Sequence, residues 1–224
     1  MLIDKALPGG RPQTRDLLAG AARVRSFRGE DTVFRQGELI PLTLMIRGFG
    51  TFRRTTIDGQ HVAVGIANPG DLFGFSAIAS AHSPVDLVAL TDCQAAFWKG
   101  PEVRQLAATD SGFALAVVDW MANYLTTITE KVDGFLHQDA RRRVVRILAR
   151  HKDLFFAEPA VLSRSHLPSL VGTSREMTGR VLRQLEREGT LARVGRTGLR
   201  LLRPDGLDLE RARPSQKAPG SLTT

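Results

Sequence analysis

The residues best suited to surface chemistry lie together in Leu170-Val-Gly-Thr-Ser-Arg-Glu-Met-Thr-Gly-Arg-Val-Leu-Arg-Gln-Leu185. With Thr173 or Ser174 as N-cap, a helix starting here has Arg175 and Glu176 in its first turn, with Gly179 and Arg180 one turn on. Val181, Leu182 and Leu185 then fall on the opposite, core-facing side. The outer face offers two guanidinium groups and one carboxylate near a helix N-terminus, beside a glycine that lets another molecule come close. In a DNA major groove, Arg pairs bidentately with guanine O6 and N7 and Glu accepts from cytosine N4, each good pair discriminating by about 1–3 kcal/mol. Arg175, Glu176 and Arg180 are therefore the expected base readers. The plainer alternative is a solvated helix face on which Glu176 simply pairs with Arg180.

Other chemistry finds little support. Gly48-Phe-Gly50-Thr-Phe-Arg53 breaks the dinucleotide-binding motif at its third glycine, and Gly74-Phe-Ser-Ala-Ile78 lacks the closing glycine of a nucleophile elbow. Neither a His-Glu-x-x-His string nor a P-loop occurs, so an enzyme is not expected. The one cysteine, Cys93, cannot form an intramolecular disulfide or hold an iron–sulfur cluster alone, and reads as a small buried apolar residue. His61 or His82 could serve as a haem ligand, but scattered histidines are more often surface residues. No cofactor and no metal are expected.

Charge places the groove-reading helix in context. Residues 1–110 carry 12 Lys/Arg and 11 Asp/Glu, whereas residues 141–224 carry 18 and 8, so the net charge of +8 is concentrated at the C-terminal end. A neutral front joined to a basic rear is the pattern of a chain in which one module meets a polyanion. The longest uncharged stretches, such as Leu72–Val85, are too short and too polar to span a bilayer, and Met1-Leu-Ile-Asp-Lys5 lacks a signal-peptide core. A cytoplasmic protein is expected, with no membrane partner.

The elements that must position these residues follow from periodicity. Between 27 and 100, short apolar runs at 42–46, 50–52, 62–66 and 87–90 are separated by Gly, Pro and Asp-Gly, the pattern of a sandwich or roll. Glycines recur every eleven residues at 37, 48, 59 and 70, and Asp58-Gly59 suits a type I′ hairpin turn. From Asp110 the spacing becomes helical, with Asp110 or Ser111 as N-cap. A helix over 111–136 is about 39 Å long at 1.5 Å per residue, longer than a roll of about 100 residues can cover. Its stripe of Phe113, Val117, Trp120, Tyr124, Ile128 and Val132 is accordingly expected to form a homodimer interface. Asp139 caps a further helix through Arg150. Two short helical segments around the turn Val171–Ser174 follow, then strands 191–194 and 199–202 about Gly195–Gly198. Helix, helix, turn, helix, hairpin is the order of a winged helix-turn-helix. Pro168 is tolerable in the middle helix only in its first turn, with Ser165 as cap.

The string Ser174-Arg-Glu-Met-Thr-Gly-Arg180, flanked by Leu170-Val-Gly-Thr173 and Val181-Leu-Arg-Gln-Leu-Glu186, resembles the recognition helix of the CRP/FNR family of bacterial transcription regulators, closest to its catabolite activator branch. Phe34-Arg-Gln-Gly37, Met45-Ile-Arg-Gly48 and Asn68-Pro-Gly-Asp-Leu-Phe-Gly74 resemble signatures of that family's cyclic-nucleotide-binding β-roll. The resemblance implies an α+β chain: a sensor roll over 1–108, a dimerisation helix over 109–137 and a winged helix-turn-helix over 138–206; since Pro, Ser, Lys and Gly dominate from Arg211 onward, a disordered tail is expected over 207–224. It assigns base reading to Arg175, Glu176 and Arg180, and phosphate contacts to Arg164, Thr173 and Ser174. It implies double-stranded DNA with two-fold TGTGA-like half-sites, a second copy of the chain and RNA polymerase as partners; Phe155-Phe156 lies near where relatives touch the polymerase and is equally a packing pair.

The sensor half departs from the family pattern. Where members that bind cyclic AMP have a Gly-Glu pair and an Arg-Ser or Arg-Thr pair, this chain has Phe75 and Ser83-Pro84. A phosphate anion buried without its guanidinium is uncompensated, so ordinary cyclic-nucleotide binding is not expected. Phe73, Phe75, Ser83, Pro84 and Thr129 mark the expected effector pocket, for an effector the residues do not identify. The alternative is a cyclic-nucleotide-responsive regulator using substitute contacts.

Overall fold

The computed structural model describes the backbone of residues 11–57, 59 and 61–208, and their side chains except at 130, 131 and 134–137. The chain divides into two compact units, residues 1–132 and 133–224.

The first unit opens with α1 (Pro12–Ala21), then runs β1 (Arg23–Phe27), β2 (Thr32–Phe34), β3 (Leu42–Arg47), β4 (Gly50–Thr55), β5 (His61–Ala67) and β6 (Leu72–Phe73). A 3-10 turn at Phe75–Ala79, β7 (Asp86–Ala89), β8 (Cys93–Trp98), α2 (Gly100–Thr109) and the long α3 (Ser111–His137) follow. Two four-stranded antiparallel sheets, ordered β1-β8-β3-β6 and β2-β7-β4-β5, make the roll. Phe27, Phe34, Met45, Leu87 and Cys93 form part of one core cluster, which explains the burial of Cys93. Burial pushes its thiol pKa up, leaving it a protonated apolar filler.

The β1-β8-β3-β6 sheet also joins a second core, in which Leu42, Leu44, Ala96 and Trp98 pack with Leu18 of α1, Val103 of α2 and Phe113 and Val117 of α3. Both faces of β3 are therefore covered, and Leu42–Met45 is buried without a break. This is why Leu42-Thr-Leu-Met-Ile46 reads as a nearly continuous apolar run rather than an alternating one.

The four glycines at eleven-residue intervals all have positive φ, between 72° and 88°. At Gly59 the expected turn differs: its N–H donates to Thr56 O at 2.9 Å, which makes it the last residue of a four-residue turn. A type I′ pair would have it third. Its predicted companion Asp58 lies outside the described residues.

Neither α1 nor α2 is expected from periodicity. The signal for α2 is Lys99-Gly-Pro-Glu102, in which Glu102 Oε2 accepts the Lys99 N–H at 3.0 Å and Pro101 occupies the first turn. Asp110 caps α3 as expected, Oδ1 accepting from the N–H groups of Gly112 (2.9 Å) and Phe113 (3.2 Å). Its other oxygen accepts from the Thr14 hydroxyl and the Arg11 N–H, tying α1 to the start of α3.

Those bonds, the Thr14 hydroxyl foremost, hold the Asp110 carboxyl down at about 2 from its ordinary 3.8, against the opposing effect of burial. A depressed folded pKa gives stability that is complete above the unfolded value and disappears as pH falls through the folded one. Thermal stability of the wild type should therefore drop as pH falls from about 4 to about 2. Asp110→Asn should melt lower at neutral pH and show a shallower acid limb in Tm-against-pH scans. Glu102, also held at about 2 chiefly by the bond from Arg23, contributes to the same limb.

The second unit contains α4 (Ala140–Arg150), α5 (Lys152–Phe155), α6 (Leu167–Val171), α7 (Arg175–Arg187), β9 (Leu191–Val194) and β10 (Gly198–Leu201), closed by a 3-10 turn at Pro204–Leu207. The predicted tail begins too early at 207: Leu207 is buried, and residues from 209 onward lie outside the described ones. Asp139 caps α4 by accepting the Arg142 N–H at 2.7 Å, as its position implied. Val144, Val145 and Leu148 of α4 are buried, as are Leu167 and Val171 of α6 and Val181, Leu182 and Leu185 of α7. Phe155 is fully buried and set against Phe156, which makes it a packing residue.

Candidate nucleic-acid interface

The turn between α6 and α7 is three residues long. Gly172, in the left-handed region at φ 67°, ends α6, and the Thr173 N–H folds back onto Pro168 O at 3.0 Å. Ser174 then caps α7, its Oγ accepting the Met177 N–H at 3.1 Å. Since Oγ is the acceptor in that bond, its own proton is available to an incoming phosphate oxygen. The α6 helix starts late, as Pro168 requires, but the residue before it is His166, helical in φ and ψ, in place of the predicted Ser165 cap.

Arg175, Glu176 and Arg180 are all exposed on α7, while its opposite face is buried. Arg180 Nη2 lies 3.1 Å from Glu176 Oε1, in an i,i+4 pair whose side chains are 63% and 82% exposed. Such a pair contributes at most about 1 kcal/mol. It orients the guanidinium without holding it against a stronger partner, so the solvated pairing and groove reading are compatible. Gly179 has only the end of the Arg183 side chain near the space a Cβ would fill.

The hairpin beside this helix carries groups that the sequence reading missed. Arg193 Nε donates to Gly195 O at 3.1 Å and its Nη2 to Arg196 O at 3.2 Å, stapling the turn that displays Arg196 and Thr197. The Arg164 N–H donates to Thr197 O at 3.1 Å, joining the turn before α6 to the wing. The available signal was Arg193-Val-Gly-Arg196, a long donor two residues before a glycine.

On α3 the expected interface stripe divides. Phe113 and Val117 are buried in the core of their own unit and cannot meet another copy; Trp120 is partly buried against the same core. Leu115, Val118, Met121, Leu125, Ile128 and Val132 are exposed apolar residues, Leu125 at 65%. From Val118 onward their spacing of 3, 4, 3 and 4 matches the heptad repeat of a coiled coil. Tyr124 lies between the two stripes.

The expected effector residues are also scattered. A cavity of about 390 Å³ involves Phe73 with Phe52, Leu72, Trp120, Tyr124 and Thr127. Phe75 is buried behind it against Trp120, with ring centroids 4.4 Å apart. Ser83 is buried with Oγ donating to Val85 O at 2.6 Å; Pro84 and Thr129 are exposed away from the cavity lining. His61 and His82 are surface residues, and no group of three or more His, Cys, Asp or Glu among the described residues could hold a metal.

A β-roll followed by a long helix and a winged helix-turn-helix with an arginine-bearing second helix defines a two-unit DNA-binding transcription regulator. Residues 24–110 match the cyclic nucleotide-binding domain family and residues 142–209 the Crp-like helix-turn-helix domain family. The chain belongs to the CRP/FNR family of transcription regulators. It is 28% identical over 194 residues to the cAMP-activated global transcriptional regulator Vfr of Pseudomonas aeruginosa, covering 81% of this chain and 91% of that one. It is 24% identical over 200 residues to the cAMP-activated global transcriptional regulator CRP of Salmonella typhimurium, covering 84% and 95%. Among solved structures, the c-di-GMP responsive global regulator CLP of Xanthomonas campestris aligns at a TM-score of 0.69 and 26% identity, covering 86% of this chain and all of that one. No helix among the described residues is long and apolar enough to cross a membrane.

Proposed function

We propose that this regulator acts as a homodimer on two-fold DNA sites with TGTGA-like half-sites, and that its sensor unit does not take an ordinary cyclic nucleotide. The observation that carries the DNA-reading half is α7 itself: capped by Ser174, buried along Val181, Leu182 and Leu185, and exposed along Arg175, Glu176 and Arg180. Those three read base edges; Arg164, Thr173 and Ser174 meet phosphates, and half-site centres lie about 34–36 Å apart so that two copies enter successive major grooves. Residues 118–132 of α3 provide the dimer seam. RNA polymerase is the further partner.

The relatives Vfr and CRP are cAMP-activated by name and CLP responds to c-di-GMP, and both ligands carry phosphates. At the two positions the resemblance assigns to ligand anchors, this chain buries Phe75 and ties the Ser83 hydroxyl to its own backbone. An effector tilts the equilibrium between binding-competent and incompetent dimers by its differential affinity for them.

Fluorescence anisotropy on a two-fold TGTGA-like duplex and a scrambled duplex, at fixed salt and with or without cyclic AMP, tests the reading. Specific binding unaffected by cyclic AMP supports it; binding that requires the nucleotide favours substitute contacts in the sensor and overturns the second half. Arg164→Ala should weaken specific and scrambled duplexes alike and lower the slope of log K against log salt by about 1, measured by the same titration at several salt concentrations.

A further inference from the structure

The cavity between the β-roll and α3 has a composition that specifies a ligand class. Two of its walls are the rings of Phe52 and Phe73, edge to face with centroids 5.0 Å apart. A third wall is Trp120 stacked on Tyr124, with centroids 5.2 Å apart and planes 10° from parallel, while Phe75 packs tilted against Trp120 at 4.4 Å outside the lining. Phe75 closes the buried end of that stack, and Tyr124 ends it half exposed, with one ring face covered by Trp120. A volume of about 390 Å³ suits a small molecule of two or three fused rings.

The polar atoms at the rim are chiefly acceptors. Asp71 Oδ2 accepts from the Asn68 N–H (2.8 Å) and Nδ2 (3.0 Å), which leaves Oδ1 for an incoming donor. The Thr127 hydroxyl donates to Asn123 O at 3.0 Å and keeps its lone pairs. The N–H groups of Gly70 and Asp71, which could have cradled an anion, are spent on Met45 O (2.8 Å) and Asn68 O (3.0 Å). Among the described residues no Lys or Arg lines the cavity. A half-open aromatic cleft with an exposed carboxylate at its rim disfavours a phosphate and favours a flat ligand that brings its own N–H donors.

We infer that the sensor unit binds a planar, phosphate-free heteroaromatic molecule carrying an N–H donor, stacked on Tyr124 and hydrogen-bonded to Asp71 Oδ1. The inference deepens the reading of this chain as a regulator with a non-nucleotide effector and rests on it. Tyr124 lies on α3 beside the apolar seam of Met121, Leu125 and Ile128, so a ligand stacked there bears directly on the helix through which copies would pair.

The test uses the full chain without DNA and three probes: 9-aminoacridine, which is planar and carries N–H donors; anthracene-9-carboxylate, of similar ring size but anionic; and cyclic AMP. Probe fluorescence should saturate with 9-aminoacridine at a Kd of about 1–100 μM. Tyr124→Ala should weaken it about tenfold, the usual effect of losing an aromatic stacking platform. Asp71→Asn should weaken 9-aminoacridine while improving anthracene-9-carboxylate, a reversal that a loss of fold does not produce. Equal or tighter binding of anthracene-9-carboxylate or cyclic AMP, or full retention of affinity in Tyr124→Ala, overturns the inference. Specific duplex binding without probe binding overturns this inference alone; probe binding without specific duplex binding supports it and overturns the DNA-reading proposal instead.

Discussion

On a sizing column, Leu125→Glu combined with Ile128→Glu should elute at the 24.5 kDa of a single chain, and its affinity for a two-fold duplex should fall by about 10²–10⁴-fold, the usual range when a tethered second site is lost. Leu125 and Ile128 are consecutive seam positions on α3 that their own unit leaves exposed. In a paired helix each would bury an apolar side chain worth about 1.5–3 kcal/mol per copy. Two glutamates per helix would bring four carboxylates together there instead. Half-site affinity should survive, because the substitutions lie outside the winged helix-turn-helix. Trp120→Glu is the contrasting variant: Trp120 packs on Phe75 and the core of its own roll, so it should lower Tm rather than separate the copies. A dimer that persists in the double glutamate variant refutes the α3 seam.

Arg180→Ala should weaken specific binding by about 1–3 kcal/mol, roughly 5- to 150-fold, and relax one base position per half-site, with a much smaller loss on scrambled DNA. The guanidinium stands one turn into α7, at 63% side-chain exposure, and its one ion pair is the exposed contact to Glu176. Splitting that pair to reach guanine costs little, and the freed carboxylate becomes available to a cytosine amino group. Glu176→Gln should accordingly change the preferred base at its own position while leaving the salt slope nearly unchanged. Equal losses on specific and scrambled duplexes for Arg180→Ala would show a phosphate contact in place of a base contact.

The DNA-reading half was the more legible part of the chain. Asp139 was readable as a cap, and Ser174 and Asp110 each as one of two adjacent candidates, because a short side-chain acceptor before an apolar-periodic run satisfies N–H groups that the helix leaves open. The runs at 42–46, 62–66, 87–90, 191–194 and 199–202 fell within a residue of β3, β5, β7, β9 and β10, because apolar runs broken by glycine admit few alternatives, whereas β4 extends three residues beyond its run and β1, β2, β6 and β8 had no predicted bounds. By contrast α1 and α2 carry little periodicity: α1 buries only Thr14 and Leu18, and α2 only Val103. The stapling of the wing by Arg193 depends on two carbonyls of a turn whose conformation has no apolar pattern to announce it.

Local periodicity was enough to establish that residues 111–137 form one helix with an apolar side, and to identify the outward residues of α7. It could not divide that apolar side. Phe113, Val117 and Trp120 pack inward while Val118, Met121, Leu125, Ile128 and Val132 stay exposed, because the roll covers one strip of α3 and leaves the adjacent strip uncovered. The same holds for the effector pocket: Phe73 lines the cavity while Phe75, two residues away, is sealed behind Trp120. Helix and strand formation follow from interactions between near neighbours in the chain. Which apolar surface is buried depends on what segments far apart in sequence bring against it, and that is settled only when the two sheets and three helices of the front unit close on one another.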